Sequence, residues 1–246
     1  MSAALSTFGG LIVIVIAGLL RRGRTSRDQD FFTAIGFALY IAAGIKLHLA
    51  IVHWFPKTLD PQFLHYDRVL GFDPLRVMAT ARQHPAVLGF LEASYWLLST
   101  MLGLAWAVEQ NRVLRLAAFL GGVFCFAFYM LLPAVGPVFY NWNAGFALNA
   151  PRNCMPSMHL SWAMLMAWNA KRLHWRLLFT IYALIMAAAT LAIGQHYLID
   201  LLAAVPYVVV IQIVAARLLH PNNIQAPVSP LRPPVLGFKM TEGGSQ

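Results

Sequence analysis

The stretch HYLIDLLAAVPYVVVIQIVAARLL, residues 196–219, decides the fold of this chain. Between Asp200 and Arg217 it contains no charged side chain. An apolar helix needs about 20 residues to cross the hydrocarbon of a bilayer, and the run 198–219 meets that requirement. The stretch therefore predicts a helix that spans a membrane, with His196 and Asp200 near its first turn.

The same apolar pattern fills most of the chain. Six further runs precede this one, at residues 4–20, 31–55, 86–108, 113–134, 157–170 and 176–194. Of the 246 residues, 59% are hydrophobic and 11% are charged, whereas soluble domains carry about 25% charged residues. We predict an all-α polytopic membrane helix bundle. Because the first run is marginal and the fifth is short, six helices plus a peripheral one are the alternative description.

Basic residues predict the orientation of this bundle. Of the 18 Lys and Arg residues, twelve fall on one side, five fall on the other, and Lys46 lies inside a run. The richer side is expected to be cytoplasmic, which leaves the loops 56–85, 135–156 and 195–197 outside. The net charge of +9 then indicates no nucleic-acid partner, since no stripe of basic residues interleaved with aromatic ones is present.

Three segments follow from this pattern. Residues 1–30 are predicted to form an N-terminal transmembrane helix with a basic cytoplasmic loop, and residues 31–219 a six-helix core. Residues 220–246, rich in Pro, Gly, Asn and Ser, are predicted to be a disordered cytoplasmic tail. The outer loop 56–85 is predicted to hold one or two short amphipathic helices, with Asp73-Pro74 breaking or starting one. A simple connection and a lid or collar are equal alternatives for that loop.

Of the eight histidines, His196 is the one with an acid four residues later, Asp200. On a helix that spacing places both side chains on one face. The carboxylate can accept the imidazole N–H, fix its tautomer and raise the basicity of the other nitrogen. A histidine nucleophile or base requires such a partner. Asp200 also lies in an apolar run, where an acid is costly and therefore a functional candidate.

A second polar group is the string MPSMH, residues 155–159, at the mouth of the fifth run. The N–H groups of a helix N-terminus point at a bound anion, and Ser157 can add its hydroxyl or cap the helix. Arg152 lies five residues earlier and can meet a phosphate as a fork of donors. The chain crosses inward after His159 and crosses back before His196, so the two groups are expected to converge at the outer face.

These segments resemble the motifs of the type 2 phosphatidic acid phosphatase superfamily. That family carries Pro-Ser-Gly-His ahead of one helix and His-x-x-x-Asp at the start of a later helix. This chain has PSMH at 156–159 and HYLID at 196–200. The resemblance covers residues 31–219 and implies a six-helix catalytic core, to which the first run is an addition.

The resemblance also implies residue roles. His196 would be the nucleophile that takes the phosphoryl group, Asp200 would orient it, and His159 would protonate the leaving oxygen. A phosphohistidine intermediate would then pass to water or to an alcohol. We expect Arg152 and Ser157, together with Tyr197, to bind the substrate, a phospholipid or an isoprenoid phosphate within membrane lipid.

Several positions depart from the phosphatase branch of that family. The branch has Ser-Arg where this chain has Ala189 and Thr190, its Lys-x6-Arg-Pro string is absent, and its motif glycine is Met158. These changes resemble the branch of inositolphosphorylceramide synthase and related inositolphosphotransferase-like head-group transferases. The strings LLPA at 131–134, GP at 136–137 and YDRVLGFD at 66–73 resemble that sphingolipid-synthase-like branch too. Lipid phosphatase and head-group transferase are therefore both implied.

Two other interpretations stay open. Two histidines and an aspartate could bind zinc, although the neighbouring serine and arginine suit phosphate better. A non-enzymatic lipid or solute transporter could use the same polar cavity, although transporters show inverted repeats and helix breaks near the midplane. We predict no metal and no cofactor, and we leave the oligomeric state open. The expected location is the bacterial inner membrane, with the site facing the periplasm.

Overall fold

The computed structural model describes residues 36, 39, 43–44, 46–47, 50–54, 57–109, 111–142 and 154–220. Within those residues the chain is helical and contains no strand, so the predicted all-α class is confirmed. The predicted first run and the segment 1–30 lie outside the described residues. So does the tail from residue 221, and the second run is described only in part.

The helices are numbered here in chain order. They are α1 (Asp60–Val69), α2 (Pro74–Arg82), α3 (Pro85–Trp96), α4 (Leu98–Glu109), α5 (Arg112–Leu131), α6 (Pro137–Trp142), α7 (Met158–Asn169), α8 (Leu173–Ile193) and α9 (Leu198–Leu219). Within the residues that the structure describes, α5, α8 and α9 are long and apolar enough to cross a membrane. The pair α3 and α4 adds a fourth candidate there if it counts as one span.

The short helix α7 lies at the centre of the bundle. It packs against α4, α5, α8 and α9, while α8 also packs on α3 and α9 on α5. Its side chains Ala163, Leu165 and Met166 are fully buried. Large side chains on the outside of the bundle, such as Leu184 and Val210, are exposed. Lipid can cover such an apolar exterior, which fits a membrane protein.

The run 86–108, predicted as one helix, is two helices bent by 51° at Leu97. In the last turn of α3, before the break, the Ser94 hydroxyl donates to the Phe90 carbonyl 2.8 Å away. Such a bond from a helical serine to the carbonyl four residues earlier bends helices. The Ser94 carbonyl in turn accepts the Tyr182 hydroxyl of α8 at 2.9 Å, which holds the bend against the bundle.

The segment 57–85, predicted to hold one or two short helices, contains two, α1 and α2. Asp73 caps α2 by accepting the N–H groups of Leu75 and Arg76 at 3.0 and 3.4 Å, and Pro74 is the first helical residue. Helix α1 contacts α9 and α6, and α2 contacts α8, α3 and α6. The two helices therefore cover one end of the bundle.

At this covered end, the chain around Gly136 contacts the turn between α8 and α9. Gly136 has a φ of +90°, and a Cβ there would lie 2.5 Å from the backbone oxygen of Gln195. Beside it, the N–H of Val138 donates to the Gly194 carbonyl at 2.9 Å. A glycine is required here because any side chain would push Gln195, and with it His196, out of place.

Replacing Gly136 by Ala should therefore destabilise the protein strongly. The positive φ costs about 1–2 kcal/mol in a non-glycine residue, and the forced contact adds about 1–3 kcal/mol. Gly71→Ala is the matched control, because Gly71 has a φ of +77° with no atom within 4 Å of the added Cβ. Thermal unfolding in detergent measures both variants. Equal losses would contradict the proposed contact with Gln195.

Candidate functional site

Two of the predicted site residues, His159 and His196, meet at the end of the bundle covered by α1 and α2. His159 lies in the first turn of α7, and His196 lies in the turn immediately before α9. Their ring centroids are 5.8 Å apart, with 61° between the ring planes. The two motifs therefore converge in the fold, as the sequence predicted. We call this end of the bundle the site end.

Asp200 lies behind His196, in the first turn of α9. Its Oδ2 is 3.5 Å from His196 Nδ1 and accepts the backbone N–H of Tyr197 at 2.8 Å. Both side chains are buried. Nδ1 of His196 and Oδ1 of Asp200 have no hydrogen-bond partner among the described residues. At 3.5 Å, Nδ1 of His196 and Oδ2 of Asp200 are farther apart than the two atoms of a usual hydrogen bond.

Ser157 joins the two motifs through its backbone. Its N–H donates to the Asp200 carbonyl at 3.2 Å, which ties the start of α7 to the first turn of α9. Its side chain is the N-cap of α7 and accepts the Leu160 N–H at 3.4 Å. Its carbonyl accepts the Ser161 hydroxyl at 2.7 Å. Ser157 is fully buried, so its observed contacts are those of a positioning residue.

His159 stacks on an aromatic partner, Tyr95, that no sequence pattern indicates. Its ring stacks on Tyr95 with centroids 4.0 Å apart and 20° between the planes. Tyr95 is buried in the last turn of α3, next to the bend at Leu97. The bend and the stacking place α3 against the site, although no pattern in residues 86–108 indicated either feature.

Helix α1 contributes two buried carboxylates, those of Asp60 and Asp67, which lie in the loop 56–85 of the sequence. Asp60 accepts the N–H groups of Val135 and Gly136 at 3.1 and 3.0 Å and the Tyr197 hydroxyl at 2.9 Å. Asp67 accepts the Leu198 N–H on Oδ2 at 2.8 Å and the Ile199 N–H on Oδ1 at 3.0 Å.

Asp67 thereby supplies the capping contacts of α9 from a different helix. The first N–H groups of a helix have no partner within the helix itself, and here a carboxylate of α1 satisfies two of them. Burial raises the pKa of the Asp67 carboxyl, and the hydrogen bonds from Leu198 and Ile199 partly offset that rise. The residues directly after His196 are thus held by α1, through Asp60 at Tyr197 and through Asp67 at Leu198 and Ile199.

Within the described residues, one group could hold a metal ion. It consists of Cys154, His196 and Asp200, whose ligand atoms lie within 4.8 Å of one another. Burial, followed by the charges of Asp200 and Asp60, raises the pKa of the Cys154 thiol well above its ordinary value. Its Sγ donates to the Gln195 carbonyl at 3.4 Å. Zinc would require this thiol as a thiolate, whereas its surroundings favour the thiol.

The other predicted substrate-binding residues have different outcomes. Tyr197 is fully buried, and its hydroxyl is committed to Asp60, so its observed contacts are those of a positioning residue. Its ring also packs edge-on against Phe63 of α1, with centroids 5.8 Å apart. Arg152 lies outside the described residues, so its predicted contact with a phosphate stays a prediction.

The Asp67 contacts lead to a specific test by substitution with asparagine. Asp67→Asn should cost about 1–3 kcal/mol, because an amide has one acceptor oxygen and one buried N–H of Leu198 or Ile199 loses its partner. Hydrogen exchange at these two amides should also become faster. Thermal unfolding and hydrogen exchange by mass spectrometry measure the two effects.

The matched control is Asp73→Asn on α2. Both N–H groups that Asp73 caps bond to the same oxygen, Oδ1, and Asn is as good an N-cap as Asp. This variant should therefore be near neutral. If Asp67→Asn were equally neutral, α1 would not hold the first turn of α9.

A sequence profile of the PAP2 superfamily matches residues 61–214. That range runs from α1 to near the end of α9 and includes both histidines, Asp200 and Asp67. Searches among curated proteins and among solved structures gave no significant match. Membership in the family suggests a phosphatase or phosphotransferase type of function. Since the matched range covers more than half of the chain, the protein belongs to the PAP2 superfamily.

Proposed function

We propose that this protein is a membrane-embedded lipid phosphatase or phospho-head-group transferase that works through a phosphohistidine intermediate. The observation that carries the proposal is the buried pair of His196 and Asp200 facing His159. A nucleophile, the group that orients it and a general acid are the parts this chemistry needs, and they occur together at one end of the bundle. Positive-inside counting supports an outward-facing site, which in a bacterial inner membrane is the periplasmic face.

The geometry supports a definite order of bond changes. Nδ1 of His196 faces Asp200, so Nε2 is the atom that attacks phosphorus. The new P–N bond forms as the bond from phosphorus to the lipid oxygen breaks, and His159 gives its proton to that oxygen. Water or an alcohol then loses a proton to His159 and attacks phosphorus. The P–N bond breaks, and both histidines return to their starting state.

The absence of the phosphatase-branch arginine supports the transferase branch. In its place, Ala189 and Thr190 are fully buried at the end of α8. The Thr190 hydroxyl donates to the Ala187 carbonyl at 2.9 Å, so this position packs the helix end and offers no cation. We propose that Arg152 meets the phosphate instead. The inositolphosphorylceramide synthase-like branch predicts that an alcohol acceptor competes with water.

An apolar groove beside the site supports a lipid as the substrate. It lies between α5 and α9, encloses about 520 Å³, and is lined at the site end by Met155, Pro156 and Ala203. It continues along α9 to Val214, a distance of roughly 16 Å at 1.5 Å per residue. Since Pro156 immediately precedes Ser157, a tail in this groove would bring its phosphate to the two histidines.

Filling this groove should discriminate between substrates by tail length. Ala203→Trp should raise KM about tenfold for a long-chain lipid phosphate, the effect of excluding roughly two methylene groups from burial. A soluble short-chain analogue should keep its KM. Leu202→Trp is the control, because Leu202 is exposed on α9 and does not line the groove. Equal KM changes for both substrates would contradict the tail assignment.

The proposed roles of the histidines are tested by their removal. His196→Ala should lower kcat at least about 10,000-fold, since the nucleophile is lost. His159→Ala should lower kcat about 100- to 10,000-fold, the range for a general acid. The measurement is release of phosphate or head group from a panel of lipid phosphates and phosphodiesters, with and without an added alcohol. Product carrying the alcohol identifies transfer, and free phosphate identifies hydrolysis.

The control for this test is His84→Ala. His84 is exposed before α3 and makes no cap hydrogen bond through its side chain, so its loss should leave kcat unchanged. Activity should also persist in a chelator, because no step uses a metal. Full activity of folded His196→Ala on every lipid tried would overturn the proposal, and activity restored by zinc after chelation would favour the ligand group of Cys154, His196 and Asp200.

A further inference from the structure

A second groove runs along the outside of the bundle between α7 and α8, and the proposed reaction does not use it. It encloses about 680 Å³. Small side chains make its floor, those of Ala167, Ala183 and Ala187, while Trp168 and Leu184 project beside them and are exposed. A floor of alanines between larger neighbours leaves a channel along the helices with the width and apolar character that a hydrocarbon chain requires.

This groove ends at a basic residue at the end of the bundle opposite the site. Arg176 lines it, one turn into α8. The Nε of Arg176 donates to the Ala170 carbonyl at 3.2 Å, which holds the guanidinium at the groove mouth. From Arg176 to Ala187, α8 rises roughly 16 Å, so the apolar part is long enough for most of an acyl chain.

The surroundings of Arg176 add positive charge. Lys171 and Arg172 are exposed on the turn between α7 and α8. The sequence has no acidic residue between 110 and 199. One acid contacts this turn among the described residues: the buried Glu109 carboxylate accepts the backbone N–H of Lys171 at 3.0 Å. A positive mouth on an apolar channel is complementary to a lipid with an anionic head group.

We propose that the groove between α7 and α8 binds one anionic phospholipid, in the leaflet opposite the site. The acyl chain lies over the alanine floor, and the phosphate meets Arg176 with support from Lys171 and Arg172. The lipid acts as a structural ligand that holds α7 against α8, and α7 carries His159 at its other end. This site is independent of the proposed reaction, because it is defined by binding alone.

The experiment titrates the purified full chain in neutral detergent with dioleoyl phosphatidylglycerol or dioleoyl phosphatidylcholine and measures the melting temperature. The anionic lipid should raise it in a saturable manner, and the zwitterionic lipid should raise it less. Arg176→Gln should weaken the apparent affinity for the anionic lipid about fivefold, the effect of one basic contact. Arg217→Gln is the matched control, since Arg217 is exposed in the last turn of α9 and does not line the groove.

A second variant separates the groove from general surface charge. Thr180→Trp fills the channel at an exposed position and keeps every basic residue, so it should also weaken binding of the anionic lipid. If Thr180→Trp binds as the parent protein does, surface charge alone attracts the lipid and the proposal is overturned. Equal stabilisation by both lipids, or equal losses in Arg176→Gln and Arg217→Gln, would overturn it too. Melting without lipid confirms that each variant is folded.

Discussion

Two carboxylates of α1, those of Asp60 and Asp67, are buried at the site end, and a buried carboxylate is tolerated only where donors surround it. Their donors are backbone N–H groups of residues 135–136 and 198–199 and the Tyr197 hydroxyl. These segments lie on either side of the turn that carries His196. Because both carboxylates take their donors from these segments, α1 holds the start of α9 next to the turn that carries His196.

The features that the sequence predicted correctly depend on local geometry or on composition. An apolar run long enough to span hydrocarbon needs no tertiary partner to be recognised, so α5, α8 and α9 were foreseeable. The spacing of His196 and Asp200 follows from one helical turn. The meeting of His159 with His196 follows from a chain that crosses once and returns. Asp73-Pro74, which the sequence predicted to break or start a helix, starts α2.

The features that the sequence did not predict are long-range contacts. Asp67 and Leu198 are 131 residues apart, and no periodic pattern connects a loop aspartate with the first turn of a distant helix. Nothing in the sequence distinguishes Tyr95 from the other aromatic residues of the apolar runs, and its stacking on His159 depends on how α3 is placed in the bundle. The bend follows a serine back-bond within α3, from Ser94 to Phe90, that a hydropathy average cannot detect. The resemblance of the string 66–73 to one branch of the family was the one signal that pointed toward Asp67.

The candidate site therefore depends on two parts of the bundle. Helix α1 holds the segment that follows His196, and the central helix α7 carries His159. In the proposed reaction, phosphorus becomes bonded to His196 during turnover. This bond can be detected by rapid quenching of the protein with a lipid substrate labelled at phosphorus, followed by peptide mapping under alkaline conditions. We expect an acid-labile, base-stable phosphate on His196 that disappears on a chase with unlabelled substrate. Turnover with no label on the protein, or with label on another residue, would rule out His196 as the nucleophile.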